Sequence, residues 1–141
     1  LAEIPNIIGI KDATGDLSVI ERLVEKCPED FLLLTGDDAT AVDFLIAGGH
    51  GGISVTANIA PKELQKVYLS AIAGNIEQAK NLNLQLANFH KNLFIEANPI
   101  PVKWALHKMG KCDKGIRLPL LELSNEFKSI IEHDLKELNL A

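Results

Sequence analysis

"IIGIKDATGD", residues 7–16, is an almost purely apolar run that ends on a lysine and then turns. The spacing predicts a buried strand over 6–11, a turn through Ala13-Thr14-Gly15-Asp16, and Asp16 placed to cap a following helix. Lysine is among the residues least often buried. The Lys11 amine therefore either passes the strand end to reach water or does chemistry that needs a dry site.

Outward from this stretch, two periodicities alternate. Leu17, Ile20, Leu23 and Val24 mark one helix face, which Cys27-Pro28 stops. Phe31–Thr35 reads as a second buried strand, Gly36-Asp37-Asp38 as the lead into a helix over 39–47, and Ile53–Thr56 as a third strand. Pro61 suits a first helical position, with Leu64, Val67, Tyr68, Ala71 and Ile72 as the stripe behind it. Alternating strands and helices with continuously apolar strands predict an α/β fold, a parallel sheet covered by helices. Past Gly74 the pattern is helical only. Ala79, Leu82, Leu86, Phe89 and Leu93 predict one long amphipathic helix, and Asn98-Pro99 to Met109 a second ending at Gly110. A third holds Leu123, Phe127, Ile130, Ile131 and Leu138. The expected division is therefore 1–74 for the α/β part and 75–141 for an all-α part.

The 141 residues are 47% hydrophobic and 23% charged, ordinary for one globular unit. A net charge of -5 argues against a nucleic-acid partner, which wants a basic face. No apolar run approaches the ~20 residues of a membrane span. Cys27 and Cys112 stand far apart with no CxxC pairing, which predicts free thiols in a reducing cytoplasm. The chain opens on Leu1 rather than Met, so its natural N-terminus is expected to lie upstream.

In parallel α/β folds functional groups gather at the carboxyl ends of the strands. Lys11, Thr35-Gly36-Asp37-Asp38 and Ile53–Thr56 fall there. Among apolar neighbours a lysine holds its charge less readily, and a neutral amine adds to a ketone or aldehyde to form a Schiff base. The protonated imine is an electron sink, so the adjacent carbon can lose a proton and become an enamine nucleophile. Gly36 would allow close approach of backbone and substrate, and Asp37 and Asp38 read first as helix caps. The glycine cluster at 48–52 precedes a strand and lacks GxxxxGK[ST], so it reads as a tight connection rather than a phosphate loop. His50, His90, His107 and His133 lack metal-ligand spacing and read as surface or packing residues, and Lys103 as structural.

"GIKDATGD", "LLTGDDA", "GGHGGISVTAN" and "NPIPVKWAL" together resemble the dihydrodipicolinate synthase family, in order and spacing, over essentially the whole chain. The resemblance implies the last three βα units of a (β/α)₈ barrel followed by a C-terminal helical domain, usually in a homotetramer. It implies condensation of pyruvate with aspartate semialdehyde to 4-hydroxy-tetrahydrodipicolinate, with no cofactor beyond the covalent Schiff base. Carried over by position, Lys11 matches the Schiff-base lysine, Ile53 lines the pyruvate pocket, and Gly36 lies beside it. The family's tyrosine proton shuttle, its hydroxyl relay and its semialdehyde-binding arginine are expected before Leu1, and Tyr68 matches none of them. N-acetylneuraminate lyase and related aldolases share the lysine and the barrel, but "DATGD", "TGDDA" and "NPIPVKWA" favour the synthase. The alternative of another class is a non-catalytic fragment that folds only by pairing with a missing half or with itself.

Overall fold

The computed structural model describes residues 1–140. Three parallel strands, β1 (Gly9–Asp12), β2 (Leu32–Thr35) and β3 (Gly51–Gly52), form a sheet in that order, each pair joined by one helix. α1 spans Leu17–Lys26 and α2 spans Ala41–Ile46. The Asp16 carboxylate accepts the Ser18 N–H at 2.9 Å, which caps α1 and lowers the pKa of Asp16, and the helix ends at Cys27 as Pro28 follows. Lys11 pairs with Leu34, and Leu34 with Gly51. Side chains alternate across a strand, so Lys11, Leu34 and Gly51 share one face, while Asp12, Thr35 and Gly52 share the other. The second face is covered: Leu33 packs with Ile20 of α1, Phe31, and Phe44 of α2. Full burial of an isoleucine such as Ile20 stabilises by about 1.5–3 kcal/mol. The first face is open, with Leu32 40% exposed and Lys11 exposed.

The expected third strand over Ile53–Thr56 is not formed. Pairing stops at Gly52, and Thr56–Asn58 is a turn of 3₁₀-helix. Ile53 makes the last ladder bond, its N–H donating to Thr35 O at 2.8 Å. The Val55 and Thr56 N–H groups then turn to the Asp38 carboxylate instead of a neighbouring strand.

α3 (Pro61–Ile72) starts at proline and buries Leu64, Val67 and Ala71, but Ile72 at the end of the expected stripe is 54% exposed. It ends at Gly74, whose φ of +79° is a left-handed position that glycine takes without strain. The long helix expected over 79–93 is two, α4 (Ile76–Leu84) and α5 (Ala87–Asn92). Ala79, Leu86, Phe89 and Leu93 stay buried through the break, so apolar spacing survives an interruption it cannot reveal. α6 (Ile100–Lys108) has Pro99 rather than Asn98 at its cap position. α7 (Asn125–Glu137) leaves Leu123 before it and Leu138 at its end, both still packed in the core.

Two apolar cores lie beyond the sheet. Val42 and Leu45 of α2, Leu64, Val67 and Ala71 of α3, Ala79 of α4 and Leu86 form one continuous cluster, which crosses Gly74. Phe89, Leu93, Val102, Trp104, Ala105, Ile131 and Leu135 form the other, between α5, α6 and α7. Asp134, 2% exposed within it, accepts a 2.8 Å bond from Asn92; burial raises its pKa and that bond opposes the rise.

Candidate active site

Lys11, Gly36 and Ile53 all project from the open face at the carboxyl end of the sheet. The register puts Lys11 there, and Gly36 and Ile53 each lie two residues past a residue of the same row. Gly36 N–H donates to Asp12 O at 2.6 Å, which extends the β1–β2 ladder past Thr35. The Lys11 stem lies directly over Gly36: a Cβ there would collide with Lys11 Cε and stand 2.9 Å from Ala13 Cβ. Ile53 is 53% exposed and held by its bond to Thr35. The amine itself is exposed in this chain, not desolvated as the apolar strand leads one to expect. Its own strand is apolar, but nothing among the described residues covers the face from which it projects.

Behind the sheet lies a buried polar chain that sequence reasoning missed. Asp37 does not cap α2, whose cap residue is Thr40 with no side-chain cap bond; it accepts the N–H of that Thr40 at 3.0 Å and its hydroxyl at 2.7 Å, bracing the turn before the helix. Asp38 does not cap its own helix. It is 2% exposed, and its Oδ2 accepts the Val55 and Thr56 N–H groups, each at 3.0 Å. Its Oδ1 is buried with no hydrogen-bond partner among the described residues. Thr56 Oγ1 lies 2.9 Å from His90 Nδ1, and His90 Nε2 lies 3.0 Å from Asn83 Oδ1. The Asn83 oxygen can only accept, so Nε2 carries the ring proton and Nδ1 accepts the Thr56 hydroxyl. Burial lowers the His90 pKa and keeps the ring neutral, against the opposing pull of the Asp38 and Asp37 charges. Seven residues of continuous helix span about 10 Å; the break between α4 and α5 lets Asn83 and His90 meet. No local signal marks the partners of Asp38 or the Thr56–His90 pair, because those contacts join residues distant in sequence.

Tyr68 lies on the opposite side of the sheet from Lys11, its hydroxyl 2.5 Å from where a Cβ on Gly52 would stand. Burial, then the Asp38 and Asp37 charges, push its pKa up, so it stays protonated. His50 Nδ1 accepts the Leu33 N–H at 2.9 Å, and His107 Nδ1 donates to Cys112 O at 3.2 Å, which are structural uses of both rings. Among the described residues no cluster of His, Cys, Asp or Glu could hold a metal ion.

Parallel strands covered by helices on one face, with a lysine on the other face at their carboxyl ends, define a chain of the parallel α/β barrel class. The chain belongs to the dihydrodipicolinate synthetase family, whose model matches residues 1–138. It is 56% identical to the 4-hydroxy-tetrahydrodipicolinate synthase of Ruthia magnifica subsp. Calyptogena magnifica, over 99% of this chain and 47% of that protein. It is also 56% identical to the synthase of Laribacter hongkongensis, over 99% of this chain and 48% of the relative. The crystal structure of the chloride-inhibited dihydrodipicolinate synthase of Acinetobacter baumannii complexed with pyruvate superposes with a TM-score of 0.96 at 50% identity. That match covers 100% of this chain and 48% of the other. The chain thus spans about half the length of the relatives it matches. Its three βα units are the C-terminal part of a (β/α)₈ barrel, followed by the helical region.

Gly36→Ala tests the contact under Lys11. The new methyl meets the flexible end of Lys11, which it displaces, and also the rigid Cβ of Ala13 at 2.9 Å, where backbone must shift at some cost in stability. Turnover of the complete enzyme is expected to fall about 10²-fold, as misplacement by an ångström does elsewhere, with a modest drop in melting temperature from the Ala13 contact. Steady-state kinetics beside thermal unfolding measure both.

Proposed function

We propose that this segment supplies the Schiff-base lysine of a 4-hydroxy-tetrahydrodipicolinate synthase, which condenses pyruvate with aspartate semialdehyde. The observation that carries the reading is Lys11 laid over Gly36 at the carboxyl end of β1, on the face it shares with Ile53. The amine adds to the pyruvate ketone and water leaves, giving an imine. Loss of a proton from the adjacent methyl carbon gives the enamine, which attacks the aldehyde carbon of the second substrate. Ile53 lines the pyruvate pocket, and Gly36 leaves room for the amine to approach. The chemistry needs no metal or cofactor. The working assembly is a homotetramer in the cytoplasm, although one solved relative, 36% identical with a TM-score of 0.94, is described as a monomeric variant. Among the described residues no helix is long and apolar enough to cross a membrane.

Pyruvate and borohydride together test the proposal: the reduced adduct should appear as a stable added mass on the peptide containing Lys11. The helical region after Gly74 serves packing and assembly. Lys103→Ala and His107→Ala should therefore change stability or assembly and leave kcat of correctly assembled enzyme within about twofold, since neither removes a group acting in the transition state. Sedimentation and kinetics on the same preparation separate the two effects, and a large rate loss with assembly intact would overturn this assignment.

A further inference from the structure

The loop that carries Ile53 is tied at two points. Its start is fixed by the ladder bond from Ile53 N–H to Thr35 O, and its end by Asp38, which accepts the amides of Val55 and Thr56. Thr56 is fully buried, so without Asp38 its N–H would lose its partner out of reach of water. The other carboxylate oxygen, Oδ1, is buried without a hydrogen-bond partner among the described residues. From Thr56 the connection continues through His90 to Asn83, joining the loop to α4 and α5.

We infer that Asp38 is a positioning residue, which holds Val55 and Thr56 so that Ile53 stands correctly against the pyruvate bound at Lys11, with His90 bracing the same turn from the helical region. Asp38 touches no substrate. It acts by fixing the backbone two residues past Ile53, so its loss should weaken pyruvate engagement more than it slows the later chemistry. This inference rests on the proposed role of Lys11.

The test uses the complete enzyme that carries this segment, as wild type, Asp38→Ala and Asp38→Asn. Borohydride trapping at Lys11 is followed against pyruvate concentration, and amide hydrogen exchange is followed at residues 53–56. Asp38→Ala should raise the half-saturating pyruvate concentration about tenfold, the scale of a lost charge-assisted hydrogen bond. Exchange at Val55 and Thr56 should quicken with it. Asp38→Asn keeps an oxygen that can accept both amides and should bring the concentration back to within about threefold of wild type. A purely structural Asp38 would lower the melting temperature and leave half-saturation unchanged in the folded variant, which overturns the inference. Should Asp38→Ala fail to fold, Asp38→Ser, too short to hold both amides, is read by the same two measurements. If the wild type shows no trapping at Lys11, the proposed function fails. The positioning role is then decided by exchange alone, with protection at Ile53 lost in Asp38→Ala supporting it and protection kept overturning it.

Discussion

Lys11→Ala should abolish borohydride trapping and lower turnover of the complete enzyme by at least about 10³-fold, the scale seen when an enzyme loses its covalent group. That factor corresponds to about 4 kcal/mol of transition-state stabilisation. Without the amine no imine forms, and the methyl carbon of pyruvate keeps a proton far too tightly held to leave at neutral pH. Lys11 belongs to none of the three apolar clusters, so its truncation removes no contact of those cores and the melting temperature should hardly move. Loss of rate with the fold intact is the signature of a chemical role. Adduct mass that persisted on another peptide, that of Lys103 for instance, would refute the assignment of Lys11.

The 141-residue chain by itself should show no measurable condensation, and it should not persist as a well-behaved monomer. β1 and β3 are both edge strands, each with one row of N–H and C=O groups that no other strand of the sheet pairs. The open face adds apolar surface, Leu32 at 40% exposure and Ile53 at 53%, each square ångström in water forgoing roughly 25 cal/mol. Tyr68, the one tyrosine of the sequence, lies across the sheet from the amine and cannot pass protons to it. Sedimentation velocity should show association or aggregation. A rigorously pure monomer with near-normal turnover would mean that proton transfer is carried by residues assigned here to packing.

Where each signal was local, the sequence could be read closely. The Asp16 cap, the Cys27-Pro28 stop and the start of α3 at Pro61 all follow from neighbours within a few residues, whereas the strand expected to be buried over 6–11 forms at Gly9–Asp12 with none of its residues buried. The sequence put Lys11, Gly36 and Ile53 at strand ends, and the register then places them on one face. What escaped was non-local. Ile53–Thr56 has the β-branched look of a strand, yet Asp38, 17 residues before Val55, draws its amides out of the ladder. Asp37 and Asp38 look alike in sequence, and only the fold separates a contact to the neighbouring turn at Thr40 from a buried anchor. The break between α4 and α5 keeps the apolar stripe in phase, so periodicity could not expose it.

The apolar cluster that crosses Gly74 bears on how the chain would respond to being cut. Gly74 and Asn75 are exposed, and a Cβ placed on Gly74 would meet no atom within 4 Å, so a protease could reach this turn. Cleavage there would sever the peptide, but Ala79 and Leu86 would still be seated against Val67 and Ala71. The nicked halves should therefore elute together under native conditions and separate only in denaturant, because side-chain packing, rather than the peptide link, joins the helices to the sheet.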